Sequence, residues 1–288
     1  MRISLKVVFL NFSMDYLIIA ECKLPYFRRR KEFRSLSNLE KVVFKGEDEL
    51  PKKLGDIKLK KGDTIFLAGG DGTANITINI IINIYGNLVE KLNFKILPFG
   101  KANDLWREIK SRVLSKKRLV KVNNEYLLTG GGFGLLTQVV ETHNASNLKN
   151  FFGGLSYYLS TLRRIIVCSK MEGVKINKRE LDFPVSLIAI MNQEHIGKRF
   201  NLSKKMKPGK VSICFLKYEK SLFKRLKQFY LVSKGMQFNK EWFFLLEEPR
   251  FDISFNKLQA LMVDGELRFP SNNFKISLDK RVINLEAL

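Results

Sequence analysis

Three glycines surround one carboxylate in residues 69–73, Gly-Gly-Asp-Gly-Thr, directly after the apolar run 64–68. The run is rich in β-branched and aromatic residues, which is typical of a buried strand. Because glycine has no Cβ, such a turn can approach a ligand closely, and the N–H groups of a following helix would favour phosphate there. A carboxylate beside a phosphate, here Asp71, suits a metal ion or a proton transfer. The other interpretation is a tight turn at the end of a strand with a capping aspartate.

The charge of the chain is strongly basic. Its 288 residues include 51 Lys+Arg against 28 Asp+Glu, a net charge of +23, which predicts attraction to nucleic acid, an anionic membrane or a nucleotide. The length allows one large domain or two of ordinary size. Three cysteines without paired spacing indicate a reducing compartment without disulfides or zinc. With only two histidines, histidine-based metal sites and histidine-driven nucleophilic catalysis are poor hypotheses.

The first twenty residues share some features with a signal peptide, namely a basic start followed by apolar residues. Asn11, Ser13 and Asp15 interrupt the apolar stretch, so we predict instead a first strand over residues 6–11 of a folded domain. No stretch reaches the roughly 20 apolar residues that a membrane span needs. These features predict a cytoplasmic protein.

Strand and helix patterns alternate over residues 1–117, which predicts a parallel α/β domain. Asn103 and Asp104 supply an N-cap for one of the helices. The isoleucines of 76–84 alternate as in a strand and also form a helical stripe with Leu88, so this pattern leaves both structures open. The other predicted elements are a strand or helix end at 39–44, an exposed helix and loop at 47–62, a strand at 93–98 and a helix at 105–113.

The pattern changes in residues 118–288, where brief β-rich runs are separated by turn signals. Such runs predict a β-rich second domain, an antiparallel sandwich or mixed sheet. Amphipathic helices are predicted at 155–167 and 221–233. The predicted strand-like runs are 119–122, 126–129, 135–140, 170–176, 185–191, 211–217, 251–255, 258–263 and 274–278.

Several short motifs follow one another in an order that resembles the diacylglycerol-kinase-type lipid kinases, which include bacterial diacylglycerol kinases and sphingosine and ceramide kinases. The motifs are Gly-Gly-Asp-Gly-Thr at 69–73, Pro-Phe-Gly-Lys-Ala-Asn-Asp at 98–104, a glycine turn at 131–134, Gly-x-x-x-Tyr-x-x-x-x-Leu at 153–162, Asn-x-x-x-x-Gly-x-x-Phe at 192–200 and Asp-Gly-Glu at 264–266. NAD kinases share the first motif and the N-terminal fold, but the stretch 98–104 favours the lipid kinases.

The resemblance implies a kinase that uses ATP and Mg²⁺, with ATP in a cleft between the two domains and a membrane lipid as the acceptor. It gives the role of general base to Glu266, or failing that to Asp264, and a catalytic role to Asp71; an ordinary β-turn is the other interpretation of 264–266. The base can act only if the C-terminal residues fold back toward Asp71 and the N-terminal domain. The implied nucleotide-binding residues are Asn11, Gly69, Gly70, Asp71, Gly72, Thr73, Asn75, Gly100, Lys101, Asn103 and Asp104. No metal-ligating residue is assigned.

The chain departs from the pattern of these kinases in four places: Phe12 follows Asn11 where a proline is usual, Lys101 replaces a threonine, Ile76 replaces an acidic residue, and the basic segment around Pro208 replaces an acidic one. Carboxylate coordination cannot be built from this last segment, so we expect no structural Mg²⁺ there. These departures motivate an alternative function, a catalytically degenerate relative that binds lipid or nucleotide.

The expected partners follow from charge and from the resemblance. Basic clusters at 28–31, 204–210 and 217–227 predict a peripheral association with an anionic membrane surface. Nucleic acid is not expected, because the basic residues are not interleaved with aromatic ones in a nucleic-acid signature. A homodimer is left open. The acceptor lipid depends on the shape of a pocket and is not predicted.

Overall fold

The computed structural model describes residues 13–100, 103–110, 115–145, 155–193, 195–196, 200–201, 209–233 and 241–288. Its strands are β1 Asp15–Ala20, β2 Glu40–Phe44, β3 Thr64–Gly69, β4 Asn93–Pro98, β5 Ser115–Val122, β6 Glu125–Leu127, β7 Gly130–Gly134, β8 Lys175–Ile176, β9 Arg179–Glu180, β10 Val185–Met191, β11 His195–Ile196, β12 Phe200–Asn201, β13 Val211–Lys217, β14 Phe243–Glu248, β15 Arg250–Val263 and β16 Glu266–Ala287. Its helices are α1 Leu24–Arg29, α2 Leu50–Asp56, α3 Asp71–Tyr85, α4 Asp104–Lys110, α5 Leu135–Ala145, α6 Leu155–Ile166 and α7 Leu222–Ser233.

The N-terminal part is a parallel sheet in the order β4-β3-β1-β2, and helices cover both of its faces. In β1, Tyr16 and Ile18 enter one buried cluster with α2, α3 and α4. Leu17 and Ile19 enter the cluster on the opposite face, with α1. Burial on both faces explains why β1 and β3 are largely apolar, and it confirms the predicted parallel α/β fold of this part.

The ambiguous isoleucine pattern forms a helix, α3, of 15 residues. Ile78, Ile81 and Ile82 are buried against the parallel sheet. The helix ends at Gly86, whose φ of +56° suits glycine. Tertiary packing therefore overrides the mild helix penalty of β-branched residues.

The C-terminal part is β-rich and largely antiparallel, as predicted. In β10, Ile188 and Ile190 face a cluster made mostly of strand residues. Leu187 and Ala189 face a second cluster, to which α5, α6 and α7 contribute. One layer of helices therefore covers a single face of these strands, which is the alternation expected of residues that point to opposite faces of a sheet.

Strand β16 joins the two parts into one 14-stranded sheet. Its first residues form a hairpin with β15, its middle pairs with β5, and its last residues pair in parallel with β4. Beyond the strand, the N–H of Leu288 donates to the carbonyl of Ile96 at 3.1 Å. The C-terminal residues thus pack on the N-terminal sheet. The proposed boundary at residue 117 falls within β5, and the division into two domains stays a prediction.

Four local predictions were wrong. Of the run 170–176, predicted as a strand, only Lys175–Ile176 forms one, β8. The run 135–140, predicted as a strand, begins helix α5, since its apolar positions also fit a helical face. The runs 251–255 and 258–263 are parts of the single strand β15. The predicted glycine turn at 131–134 lies in strand β7, where a Cβ on Gly132 would lie 2.0 Å from the carbonyl oxygen of Ile188.

Two further predictions concern the beginning of the chain and membrane spans. The predicted strand 6–11 lies outside the described residues, and β1 at Asp15–Ala20 was not predicted. Among the helices that the structure describes, none has the length and apolar content needed to cross a membrane.

Candidate active site

Two loops leave neighbouring parallel strands at the same edge of the sheet. Strand β3 ends at Gly69 and β4 at Pro98, and these two residues are paired in register. The loops then touch through their backbones, since a Cβ on Gly100 would lie 2.3 Å from the Cα of Gly70. The N–H of Phe99 also donates to the carbonyl of Gly69 at 3.1 Å. Only glycine permits this approach, and it leaves a surface of bare backbone at the carboxyl ends of the strands, where α/β folds bind ligands.

Asp71 begins α3 and caps a different helix. Its carboxylate accepts hydrogen bonds from the N–H groups of Asp104 at 2.9 Å and Leu105 at 3.0 Å, which are the first residues of α4. Burial raises the pKa of Asp71 to about 6, with the nearby carboxylates of Asp104 and Asp264 adding to the shift and the two amides opposing it. Of the two interpretations of residues 69–73, these contacts fit the capping aspartate. The cap ties the first glycine loop to the second.

Asn103 fixes the second loop. Its side-chain oxygen accepts from the N–H of Gly100 at 2.8 Å, and its amide donates to the carbonyl of Gly100 at 2.9 Å. The residue has a φ of +53°, a conformation that asparagine tolerates better than most residues. Next to it, Asp104 is partly exposed and pairs with Arg107 at 3.2 Å. The backbone of this loop is therefore held by its own side chains, and the carboxylate of Asp104 lies at its rim.

Asp264 lies in the two-residue turn between β15 and β16, with a φ of +47°, followed by Gly265 at +91°. An Asp-Gly pair with two positive φ values is the usual type I′ hairpin turn. Asp264 is only 6% exposed. It accepts hydrogen bonds from the N–H groups of Leu128, Thr129 and Gly130, from the Thr129 hydroxyl and from the Asn75 amide.

These five donors leave the Asp264 carboxylate fully occupied within the protein. Burial raises its pKa, and the hydrogen bonds from Thr129, Gly130 and Leu128 act in the opposite direction. An ionised carboxylate offers about four acceptor positions, all of which are used here. The turn is therefore anchored to the β6–β7 segment and to α3.

Asn75 and Asn79 form a polar ladder on α3, one helical turn apart. Asn75 is 0% exposed, and its amide donates to Asp264 and to the carbonyl of Tyr126. Asn79 exchanges hydrogen bonds with the backbone of Tyr126, donating at 2.9 Å to its carbonyl and accepting at 2.9 Å from its N–H. Asn75, predicted to bind the nucleotide, thus supports the Asp264 turn and the backbone of Tyr126, and it has no exposed surface for a ligand. The spacing of four residues between Asn75 and Asn79 places both on one face of a helix, which is the sequence signal for this ladder.

Glu266 is the first residue of β16 and lies against the first glycine loop. A Cβ on Gly72 would lie 3.2 Å from Oε1 of Glu266 and 3.7 Å from the carbonyl oxygen of Asp264. Glu266 is partly exposed, in contrast to Asp264. The C-terminal hairpin therefore folds back to residues 69–73, as the predicted role of Glu266 as a base requires.

The structure brings most of the predicted residues to one place. The glycine loops, Asn103, Asp104 and Glu266 meet at the carboxyl ends of β3 and β4, while the side chain of Thr73 packs against Gly69. Asn11 and Lys101 lie outside the described residues, as do Phe12 and Pro208. Among the described residues, no three His, Cys, Asp or Glu side chains form a metal cluster. The partly exposed carboxylate of Asp104, beside bare backbone, is an oxygen ligand of the kind that Mg²⁺ binds together with phosphate oxygens.

Comparisons with known proteins agree with this geometry. Residues 30–129 match the family described as the diacylglycerol kinase catalytic domain. A "Putative lipid kinase" of Staphylococcus carnosus (strain TM300) is 25% identical over 236 residues, 76% of this chain and 75% of that protein. Another from Staphylococcus aureus (strain MSSA476) is 31% identical over 137 residues, 42% of this chain and 43% of its own length.

A solved structure shows the same fold. It is titled "A putative diacylglycerol kinase from Bacillus anthracis str. Sterne", and the likeness has a TM-score of 0.71 and covers 96% of this chain and 98% of that one. At 18% sequence identity, this likeness concerns the fold alone. Together with the family match, it confirms the predicted resemblance and the predicted fold class.

Proposed function

From the match of residues 30–129 to the diacylglycerol kinase catalytic domain, we propose that the protein is an ATP-dependent lipid kinase. It transfers the γ-phosphoryl group of ATP to the hydroxyl group of a membrane lipid such as diacylglycerol. The observation that carries the proposal is the position of the Glu266 carboxylate against Gly72, because it puts a proton acceptor beside a bare glycine loop. The two residues lie far apart in the sequence and are brought together by the fold.

The glycine loops are suited to hold the phosphates of ATP. Bare backbone at Gly70, Gly72 and Gly100 allows close approach, and the N-terminus of the 15-residue helix α3 favours negative charge there. Asp71 acts indirectly, because its carboxylate holds α4 and the second glycine loop in place. Asp104 is the carboxylate that would hold Mg²⁺, which would neutralise phosphate charge when bound, and Glu266 stays available as the base.

The acceptor hydroxyl would lie between the γ-phosphate and Glu266. Its oxygen attacks the γ-phosphorus, the bond from phosphorus to the β–γ bridging oxygen breaks, and Glu266 accepts the hydroxyl proton. Asp264 is poorly placed for this task, because its oxygens already accept five hydrogen bonds and are buried. Its role is to fix the turn from which Glu266 projects.

One observation favours the second candidate, a degenerate relative that binds ligands without turnover. Ile76 is 9% exposed and belongs to the core cluster of the parallel sheet. The lipid kinases that this chain resembles commonly carry an acidic residue at this position. The chain therefore lacks one carboxylate in the first turns of α3, next to the glycine loop. The glycine loops and the start of α3 do not depend on that carboxylate, so such a site would still bind nucleotide.

ATP consumption on a panel of vesicles tests the proposal. The vesicles contain diacylglycerol, sphingosine, ceramide or undecaprenol, and a control set contains triacylglycerol, which has no free hydroxyl group. We expect radiolabelled phosphate to move from ATP to one of the four lipids and not to triacylglycerol. ATP binding without transfer to any lipid would support the degenerate relative. Absence of both binding and transfer would overturn the proposed function.

A further inference from the structure

Helix α6 carries three apolar residues on the side that faces solvent. Leu159, Leu162 and Ile166 are exposed, at the spacing that places them on one face, and Val167 just beyond the helix is 66% exposed. The small polar residue Ser160, by contrast, is buried. A surface helix normally turns its apolar stripe toward the core, so this reversal indicates a partner for the outer face.

Helix α7 extends the exposed apolar surface. Phe223 is 83% exposed, and Leu222 and Tyr230 are exposed as well. The helices α6 and α7 contact each other, and both pack their inner residues, such as Ile165 and Val232, into the same cluster on one face of the sheet. Their exposed sides therefore point away from the sheet together. We call this surface the α6–α7 face; it consists of Leu159, Leu162, Ile166, Val167, Leu222, Phe223 and Tyr230.

The charged residues within the two helices are all of one sign. The two helices contain five basic residues and no acidic ones: Arg163, Arg164, Lys224, Arg225 and Lys227. Arg163, Arg164 and Val167 also line a cavity of about 300 Å³ beside α5, together with Thr142 and Ala145. Within this cavity Arg164 donates through Nε to the hydroxyl of Thr142. Glu219, just before α7, pairs with Lys224 at 3.8 Å. Exposed apolar residues thus alternate with cations, and guanidinium groups line a recess next to them.

We propose that the α6–α7 face docks on an anionic lipid bilayer. The apolar side chains enter the interface, while Arg163, Arg164 and the lysines of α7 pair with lipid phosphate groups. A second copy of the chain is a poorer occupant, because a symmetric contact would bring the same cations together. Nucleic acid would satisfy the cations and leave side chains such as Phe223 in water. The docking rests on the proposed function for its purpose, since it brings the site to a lipid substrate, but the binding itself needs no catalysis.

Sedimentation with vesicles tests the docking, with phosphatidylcholine alone or mixed with phosphatidylglycerol. We expect the wild type to bind the mixed vesicles. Phe223→Gln should bind them with about tenfold lower affinity, because a large apolar side chain no longer enters the interface. Arg163→Gln should weaken binding about fivefold at low salt, and this difference should shrink as salt rises. The matched controls are Leu258→Gln, an exposed apolar residue on β15, and Lys58→Gln, an exposed lysine after α2; neither should change binding.

Other outcomes overturn the docking. Equal losses in the test and control variants would mean that the overall charge of the chain binds the vesicles. Equal binding to neutral vesicles would remove the role of the cations. A concentration-dependent dimer abolished by Phe223→Gln, or a nucleic-acid complex abolished by it, would assign the face to another partner. All these residues are exposed, and thermal unfolding by circular dichroism checks that each variant is folded.

Turnover separates this proposal from the proposed function. Phe223→Gln should lower phosphoryl transfer to vesicle lipid and leave transfer to a water-soluble short-chain diacylglycerol unchanged. If the wild type binds vesicles through this face and phosphorylates no lipid, the docking stands and the kinase proposal fails. If the variant loses turnover on both lipid forms equally, recruitment is not the function of the face and the docking proposal fails.

Discussion

The two aspartates of the candidate site, Asp71 and Asp264, are held in different ways. Asp71 accepts from two successive N–H groups at the start of one helix and is partly exposed. Asp264 accepts five hydrogen bonds from α3 and from the β6–β7 segment and is buried. Burial raises the pKa of both carboxyl groups, to about 6 for Asp71, but only Asp264 is held by five donors. Both aspartates position other groups, whereas Glu266 is partly exposed and lies against the first glycine loop.

Removal of the anchor should have the largest effect on stability. Asp264→Ala leaves the N–H groups of Leu128, Thr129 and Gly130 buried without their acceptor, and each such group costs about 1–3 kcal/mol. We expect the free energy of unfolding to fall by about 3 kcal/mol or more, measured by urea denaturation. Asp252→Ala, an exposed aspartate on β15, is the control and should change it by less than about 0.5 kcal/mol. Similar small changes in both variants would contradict the anchoring role.

The pH dependence of stability should reveal Asp71. Its pKa is raised to about 6 in the folded protein from an ordinary value of 3.8, so the folded state binds the proton more tightly than the unfolded state. The wild type should therefore lose stability relative to Asp71→Asn as pH rises from about 4 to 6. Urea denaturation at a series of pH values gives the free energy of unfolding of both proteins. The difference between the two values removes the effect of the other charged groups, which both proteins share. Parallel curves for the two proteins would show that Asp71 keeps an ordinary pKa.

A smaller effect is expected where α4 meets the C-terminal residues. Trp106 Nε1 donates to the carbonyl of Leu288 at 2.8 Å, so α4 is held by Asp71 at its start and by this bond farther along. Trp106→Phe should cost about 0.5–1.5 kcal/mol of unfolding free energy. Because the bond is exposed, the low end of that range is expected. A loss as large as that of Asp264→Ala would mean that the C-terminal contact, not the buried anchor, holds the site together.

The strands buried on both faces were the easiest part of the fold to predict. The bounds of β4, β10 and β13 agree with the predictions because short runs rich in apolar residues, bounded by turn signals, have few other structures. Helix α5 was missed since its apolar run is short enough to fit a strand. The full length of β16 was missed because its residues alternate in polarity and its partners β15, β5 and β4 lie far away in sequence.

In the site, the sequence revealed the residues better than their roles. Glycine segments at 69–73 and around Gly100 were found because glycine signals close backbone approach. The capping of α4 by Asp71 and the five donors of Asp264 depend on tertiary contacts that no local pattern records. The same holds for Thr129, which contributes two of those donors and was not selected.

The most direct test of the central claim is the turnover of Glu266→Gln on the lipid that the wild type phosphorylates. The variant keeps the size of the side chain and loses the proton acceptor, so kcat should fall by about 10²–10⁴-fold while ATP affinity stays nearly constant. Asp264→Asn is the comparison, in which loss of activity should follow loss of stability. A Glu266→Gln protein that turns over at the wild-type rate would contradict the assignment of Glu266 as the base.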